Sequence, residues 1–341
     1  MKAFIGSSLF LLFTLLLGAC GGSEGIHDAA NLEGIEASVE IIRLEQDLRK
    51  LKSRAEIEDF LKKHPDFSEK YMRRSQLPHD SIAVDQLYQM LNEPALDTLF
   101  DDVAKKYGNI DDIQAEFEDA FRHIKYYYPE FKEPKIYTTI TGLGSFYGTD
   151  LFVSDDMIII SLDFFMGNEA RYRPPVEMIP DYIWQRFHKK SIVPTVVMYL
   201  SNKYNKTNFE DKTALAEMIY HGKAYHFTKT IMPTIADSIL FGYTSTELAN
   251  IEDEKNREYI WGHLIEKEVL FSTNQKVIAS YLEEHPFVAE INKKCPGRIG
   301  RWLGYRIIQK YLSRNSEVTF QQLMANQDAR NIFNLSGYNG D

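Results

Sequence analysis

Ile136-Tyr137-Thr138-Thr139-Ile140 opens the stretch that decides the fold. Gly142 and Gly144 follow, then Phe146 to Phe152, the apolar run Met157-Ile158-Ile159-Ile160, and Asp163-Phe164-Phe165-Met166-Gly167. Short β-branched and aromatic runs punctuated by glycine and aspartate read as strands joined by tight turns. Asp155-Asp156 is the turn between Leu151-Phe152-Val153 and Met157–Ile160, so a hairpin or short sheet edge is expected there. Pro174, Pro175 and Pro180 then make 171–180 a rigid loop. Ile192-Val193-Pro194 begins a helix, and a hydrolytic enzyme of this layout would carry its metal motif on it.

Helices dominate on both sides of this stretch. Upstream, Val39–Leu44 mixes periods and suits either a strand or a helix, and Leu48–Phe60 is helical up to His64-Pro65. Leu96, Leu99, Phe100, Val103 and Tyr107 recur at helical spacing, and Ile113, Phe117, Ala120, Phe121, Ile124 and Tyr128 form a second stripe. Downstream, Phe209–Met232 is helical with Leu215, Met218, Ile219, Gly222 and Tyr225 on one face. Glycine in mid-helix costs about 1 kcal/mol against alanine, so another backbone or a ligand is expected to approach Gly222. Thr244-Ser245-Thr246-Glu247 reads as a capping box. A further helix runs from Gly297 to Leu312, where Gly300 and Gly304 suggest close helix packing. The expected architecture is α+β and mostly helical, with helices around a small central sheet. One globular domain is expected over 36–335, with a tail at 336–341 that frays.

The N-terminus carries a separate message. After Lys2, Phe4–Leu17 is an apolar run broken only by Gly6, Ser7, Ser8 and Thr14. It is too short to span a bilayer comfortably and has the length of a signal-peptide core. Leu17-Gly18-Ala19-Cys20 resembles the bacterial lipobox, whose cysteine takes acyl chains such as palmitate after cleavage. Residues 1–19 are thus read as a lipoprotein signal peptide, Cys20 as the lipid attachment site, and 20–35 as a flexible tether. Gly21 stands where aspartate would favour inner-membrane retention, so the outer membrane is favoured.

Composition narrows the function classes. The chain is 341 residues, 44% hydrophobic, with net charge −10. That supplies ample core and argues against a duplex nucleic-acid partner. With Cys20 acylated, Cys295 is the remaining cysteine, which allows neither an internal disulfide nor a cysteine-rich zinc site.

The candidate chemical groups are sparse. His27, His64, His79, His123, His188, His221, His226, His263 and His285 include no pair four apart, so His-Glu-x-x-His is absent. Ser191–Tyr199 offers no imidazole or carboxylate. Glu217 and His221 share a helix face, but a metal needs a further ligand, and a Glu–His contact is the commoner meaning. Gly142-Leu143-Gly144-Ser145-Phe146 is neither a nucleophile elbow nor a dinucleotide fingerprint, and reads as a glycine-permitted turn. Asp155, Asp156 and Asp163 fit turns better than paired catalytic carboxylates. No catalytic residue, metal ligand or cofactor is therefore assigned. Lys293–Arg314 holds Lys293, Lys294, Arg298, Arg301, Arg306, Lys310 and Arg314 with no acid. Its arginines are expected to pair with the chain's own surplus acids, an acidic partner or lipid phosphates being the alternative. Tyr126-Tyr127-Tyr128 is expected to close a core with one ring wet.

In order, these pieces resemble the gliding motility-associated lipoprotein GldB family of Bacteroidetes. The resemblance is carried by the lipobox, Ile41-Ile42-Arg43-Leu44-Glu45-Gln46-Asp47-Leu48, Leu162–Gly167, Pro180–Phe187, Ile219–Tyr225 and Pro296–Gly304. The layout is also similar to zinc peptidases of the gluzincin kind, in which a His-Glu-x-x-His helix follows the central strands and a Glu-Gly-x-Ala helix adds a ligand. Here Ile192–Tyr199 has no ligand and His221 stands where that glutamate would be. The resemblance implies a zincin-like scaffold without its metal. It also implies a membrane-anchored, non-enzymatic component of gliding motility and its secretion machinery, with envelope proteins as partners. Two alternatives stand beside it: a hydrolase with an unrecognised site, and an exported peptide- or carbohydrate-binding lipoprotein using aromatic groups around Tyr126 and Trp184.

Overall fold

A computed structural model describes residues 30–341. Cys20, the signal peptide and most of the expected tether lie outside the described residues. The strands of the deciding stretch are β2 (Lys135–Thr139), β3 (Leu151–Val153) and β4 (Met157–Ser161), joined by β1 (Ile41–Arg43). The sheet order is β1-β2-β4-β3. β1, β2 and β4 run parallel, and β3 folds back on β4 as the expected hairpin, with Leu151 opposite Ile160 and Val153 opposite Ile158. Every residue of β4 is buried, which explains its unbroken apolar run: a parallel strand covered on both faces has no polar side.

Helices α1 (Leu44–Leu48), α2 (Arg54–Lys63), α3 (Ser81–Leu91), α4 (Pro94–Lys106) and α5 (Asp111–Tyr127) precede β2. The single helix expected over Leu48–Phe60 is split. Ser53 accepts from Glu56 N–H while the Glu56 carboxylate takes the Ser53 N–H, so a new helix starts at Arg54. Arg43 and the buried Glu45 pair at 2.5 Å, and Thr138 donates to Glu45 at 2.7 Å, which ties β1 and α1 to β2. Residues 32–35, read as tether, are held to α5: Arg122 donates to the Leu32 and Ile35 carbonyls.

After the sheet come α6 (Asp181–Trp184), α7 (Ile192–Leu200), α8 (Ala214–Ile231), α9 (Asp237–Phe241) and α10 (Ser245–Glu252). The chain closes with α11 (Glu254–Glu266), α12 (Gln275–Leu282), α13 (Ile299–Arg314), α14 (Phe320–Ala325) and α15 (Ala329–Ser336). The fold is thus mostly helical α+β. α8 is its central helix and is buried on nearly all sides. It starts at Ala214 rather than Phe209, because the Thr213 hydroxyl accepts the Ala216 N–H and so fixes the N-cap. Phe209 stays exposed. The buried Lys223 donates to the carbonyls of Lys206, Asn326 and Met324 at 2.6, 2.8 and 3.3 Å, anchoring two loops to α8.

α8 crosses α13 at Gly222 and Gly304. A Cβ on Gly222 would lie 2.4 Å from the Gly304 carbonyl, and one on Gly304 would lie 1.8 Å from the Met218 oxygen. The approach expected at both glycines is one contact, backbone against backbone. Beyond Ser336, where fraying is expected, the chain makes packing contacts. Tyr338 is buried edge-on against Trp261, centroids 4.9 Å apart, and Lys310 pairs with Asp341. A long-range aromatic contact overrides the usual looseness of a terminus.

Candidate functional site

A cavity of about 620 Å³ opens between α7, α8, α9 and the start of α13. α7 presents Thr195, Met198 and Tyr199 to it, α8 presents Tyr220, His221, Ala224 and Tyr225, and α13 contributes Arg301 with Arg298 just before it. Arg186 and His188 enter from the loop after α6, Gly242 and Tyr243 from the turn after α9, and Glu284 from the segment after α12. The helix expected to organise an active site therefore does line a cleft, but with a hydroxyl, a thioether and a phenol.

The hydrogen bonds explain why these side chains point inward. Arg186 Nη1 donates to both Glu284 oxygens at 2.9 Å, and its Nε donates to the Gly242 carbonyl at 3.1 Å. Arg298 adopts a left-handed backbone, φ 61° and ψ 22°, immediately before α13. Its Nη2 donates to the Phe241 carbonyl at 3.0 Å. Its Nε is ion-paired with Glu284 Oε1 at 3.2 Å but makes no hydrogen bond. Arg301 Nε caps α12 by donating to the Leu282 carbonyl at 2.6 Å. Tyr243 donates to the Gly297 carbonyl at 2.8 Å, beneath the Arg298 guanidinium.

The electrostatics follow. Three guanidiniums meet one carboxylate, a surplus of two positive charges. His221 is pushed down to about 3, first by burial and then by Arg301 and Arg298, so it is neutral at ordinary pH. The Glu217–His221 contact suggested by their spacing is not made. His221 faces the cavity, and burial, then the neighbouring Glu283, raise the Glu217 carboxyl. Burial and then Lys106 and Lys190 lower His188. The hydroxyls are committed to backbone: Ser191 Oγ lies 2.7 Å from the Arg186 and His188 carbonyls, and Thr195 Oγ1 donates to the Ser191 carbonyl. Among the described residues, no three His, Cys, Asp or Glu side chains group as a metal site.

Other candidates fall elsewhere. Asp155 and Asp156 sit in the β3–β4 turn, where Lys203 and Lys70 pair with them. Asp163 is buried and fastens the Gly142–Gly144 turn through the N–H groups of Thr141 and Leu143. In the tyrosine triplet Tyr126 is exposed, while Tyr128 stacks on Tyr204 at 3.8 Å. Trp184 is buried against Phe187, so it offers no surface platform for sugar or peptide. Cys295 is free and buried, its thiol pushed up to about 12 by burial. No described helix is long and apolar enough to cross a membrane.

His221, Arg298 and Arg301 were marked in the sequence for unrelated reasons, and the fold brings them together. The expected pairing of the basic segment with the chain's own acids holds for Arg298 and Lys310, whereas Arg301 bonds a carbonyl. Arg186, Glu284 and Tyr243 carried no signal of their own. Three segments that carry the family resemblance, Pro180–Phe187, Ile219–Tyr225 and Pro296–Gly304, converge here. No curated protein and no solved structure matches the chain. A family model described as gliding motility protein GldB matches residues 27–340, nearly the whole length, and on that match the chain belongs to the GldB family.

Proposed function

We propose that the protein is an envelope lipoprotein, held to a membrane by acyl chains on Cys20, that serves gliding motility and the associated secretion machinery through protein contacts and without catalysis. The family membership supports the motility role. The single observation that carries the non-enzymatic part is the cavity face of α7, which offers Thr195, Met198 and Tyr199 where a metallopeptidase of similar layout would place two imidazoles and a carboxylate. The one carboxylate that lines the cavity among the described residues, Glu284, is held by Arg186 and Arg298, a poor arrangement for a general base. The outer membrane is the favoured site, from Gly21 after the lipobox cysteine.

Deletion of the gene in its own host is expected to abolish colony spreading. Re-expression of wild-type protein restores it, whereas Cys20→Ser fails and moves the protein from the membrane pellet to the soluble fraction. Normal spreading in the deletion strain would remove the motility role. Cys20→Ser protein that stays in the pellet would remove the anchor. One equivalent of zinc in purified protein, lost together with a hydrolytic activity on chelation, would overturn the non-enzymatic reading.

A further inference from the structure

We propose that the arginine-lined cavity between α7, α8 and α13 is a binding site for a small phosphorylated ligand, with a dianionic phosphoryl head and a partly apolar body. This goes beyond the motility role and does not depend on it.

The charge balance comes first. Arg186, Arg298 and Arg301 reach one cavity from segments far apart in sequence, against the single carboxylate of Glu284. Arg301 has no carboxylate within ion-pairing distance among the described residues, and its outer nitrogens make no hydrogen bond there. In a chain of net charge −10, Glu217 and Glu247 act on Arg301 and Arg298 without forming an ion pair with them, and among the described residues no second carboxylate lines the cavity. Guanidinium forks match phosphoryl oxygens bidentately. A phosphate monoester carries a charge of roughly −1.5 to −2 at pH 7, close to the surplus.

A second observation is Arg298 itself. Its side chain is buried, only 7% of the residue is exposed, and its Nε makes no hydrogen bond although it lies 3.2 Å from Glu284 Oε1. Buried donors are normally satisfied. A non-glycine residue in the left-handed region is also costly. Here that conformation turns the guanidinium into the cavity, with Gly297 packed against the His285 carbonyl to hold the turn. α13 begins at this point with no capping side chain and no acid in its first turn, so its N-terminal dipole adds to the same field. The opposite walls are apolar or aromatic, from Met198, Tyr199, Ala224, Ile239 and Leu240. Small-molecule sites combine convergent polar groups with apolar wall in this way, and here Gln185, Asn202 and Ser238 add neutral polar groups to the lining. His221 completes the rim as a neutral imidazole beside two arginines.

The test uses the full-length protein in detergent, titrated calorimetrically with inorganic phosphate, phenyl phosphate and phenylacetate. Both phosphates are expected to saturate one site, phenyl phosphate more tightly because its ring uses the apolar walls. Arg301→Gln should weaken both at least about tenfold, and Glu284→Gln should tighten both by removing the competing carboxylate. The opposite signs separate ligand binding from a purely structural ion cluster, in which both variants would only lower the melting temperature. In a histidine NMR titration, phosphate should raise the His221 pKa. No saturation by either phosphate, equal affinities in all three proteins, or binding of phenylacetate alone would overturn the proposal. Each of these outcomes is independent of whether the host spreads.

Discussion

Gly304→Ala should unfold the protein at a temperature lower by about 4 °C or more. Helix propensity alone says the opposite, since alanine gains about 1 kcal/mol over glycine inside a helix. Sterics decide. The added Cβ would lie 1.8 Å from the Met218 oxygen and 2.5 Å from its carbonyl carbon, and both are backbone atoms with no rotamer to escape into. The two helices must move apart, which loosens an interface that buries Met218, Ile219, Trp302, Leu303 and Ile307. Overpacking of a core typically costs 1–3 kcal/mol, occasionally more. A rigid contact on both sides places this case at or above ~3 kcal/mol, and in a chain of this size each kcal/mol moves the melting point by roughly 1.4 °C. Gly262→Ala on α11 is the control. Nothing lies within 4 Å of its added Cβ, so the same substitution should raise stability by up to about 1 kcal/mol. Thermal melts followed by circular dichroism read both. A Gly304→Ala protein as stable as wild type would mean that the helices do not cross this closely.

That crossing also shows what could be read from the chain alone. Gly222 and Gly304 each signalled a close approach, because glycine inside a helical pattern is costly without a reason. Which helix met which was not legible, because local periodicity says nothing about partners far along the chain. β2, β3 and β4 were legible, since the runs are β-branched and Asp155-Asp156 is turn chemistry. The pairing of β1 with β2 was not: Ile41–Arg43 carries a mixed period, and the pair is fixed by Glu45 reaching Thr138. At the site, His221 and the basic segment stood out by residue type. Arg186 and Glu284 did not, because a surface ion pair and a cavity ion pair look identical in sequence. Asp163 was read as a turn residue, and it does fasten a turn, but from complete burial, which no local pattern indicates.

Asp163 gives the second large effect. Its Oδ2 accepts from Leu143 N–H at 2.6 Å and Thr141 N–H at 3.2 Å, while Oδ1 has no partner. The turn it fastens holds Gly142, Leu143 and Gly144 all at positive φ, 64°, 55° and 77°. Burial pushes its carboxyl up from 3.8 to about 6, against the opposing pull of the Leu143 and Thr141 N–H groups. A raised folded-state pKa means that the folded protein binds more protons than the unfolded chain between these values. The stabilisation is therefore complete below about pH 3.8 and is lost as pH rises through 6. At about 1.4 kcal/mol per pKa unit, the loss is ~3 kcal/mol. Asp163→Asn keeps an acceptor and cannot ionise. Its unfolding free energy minus that of wild type should therefore rise by about 2.4 kcal/mol between pH 4 and pH 7 in urea melts. The difference matters because His221 slopes the other way: its lowered pKa costs stability as pH falls below 6.5, and in the wild-type curve alone the two partly cancel. Asp163→Ala removes the acceptor and strands two buried N–H groups, at about 1–3 kcal/mol each, so it should be destabilised even at pH 4. Parallel pH profiles for wild type and Asp163→Asn would show that Asp163 ionises in its ordinary range. The N–H groups of Leu143 and Thr141 would then offset the burial cost of the carboxylate in full.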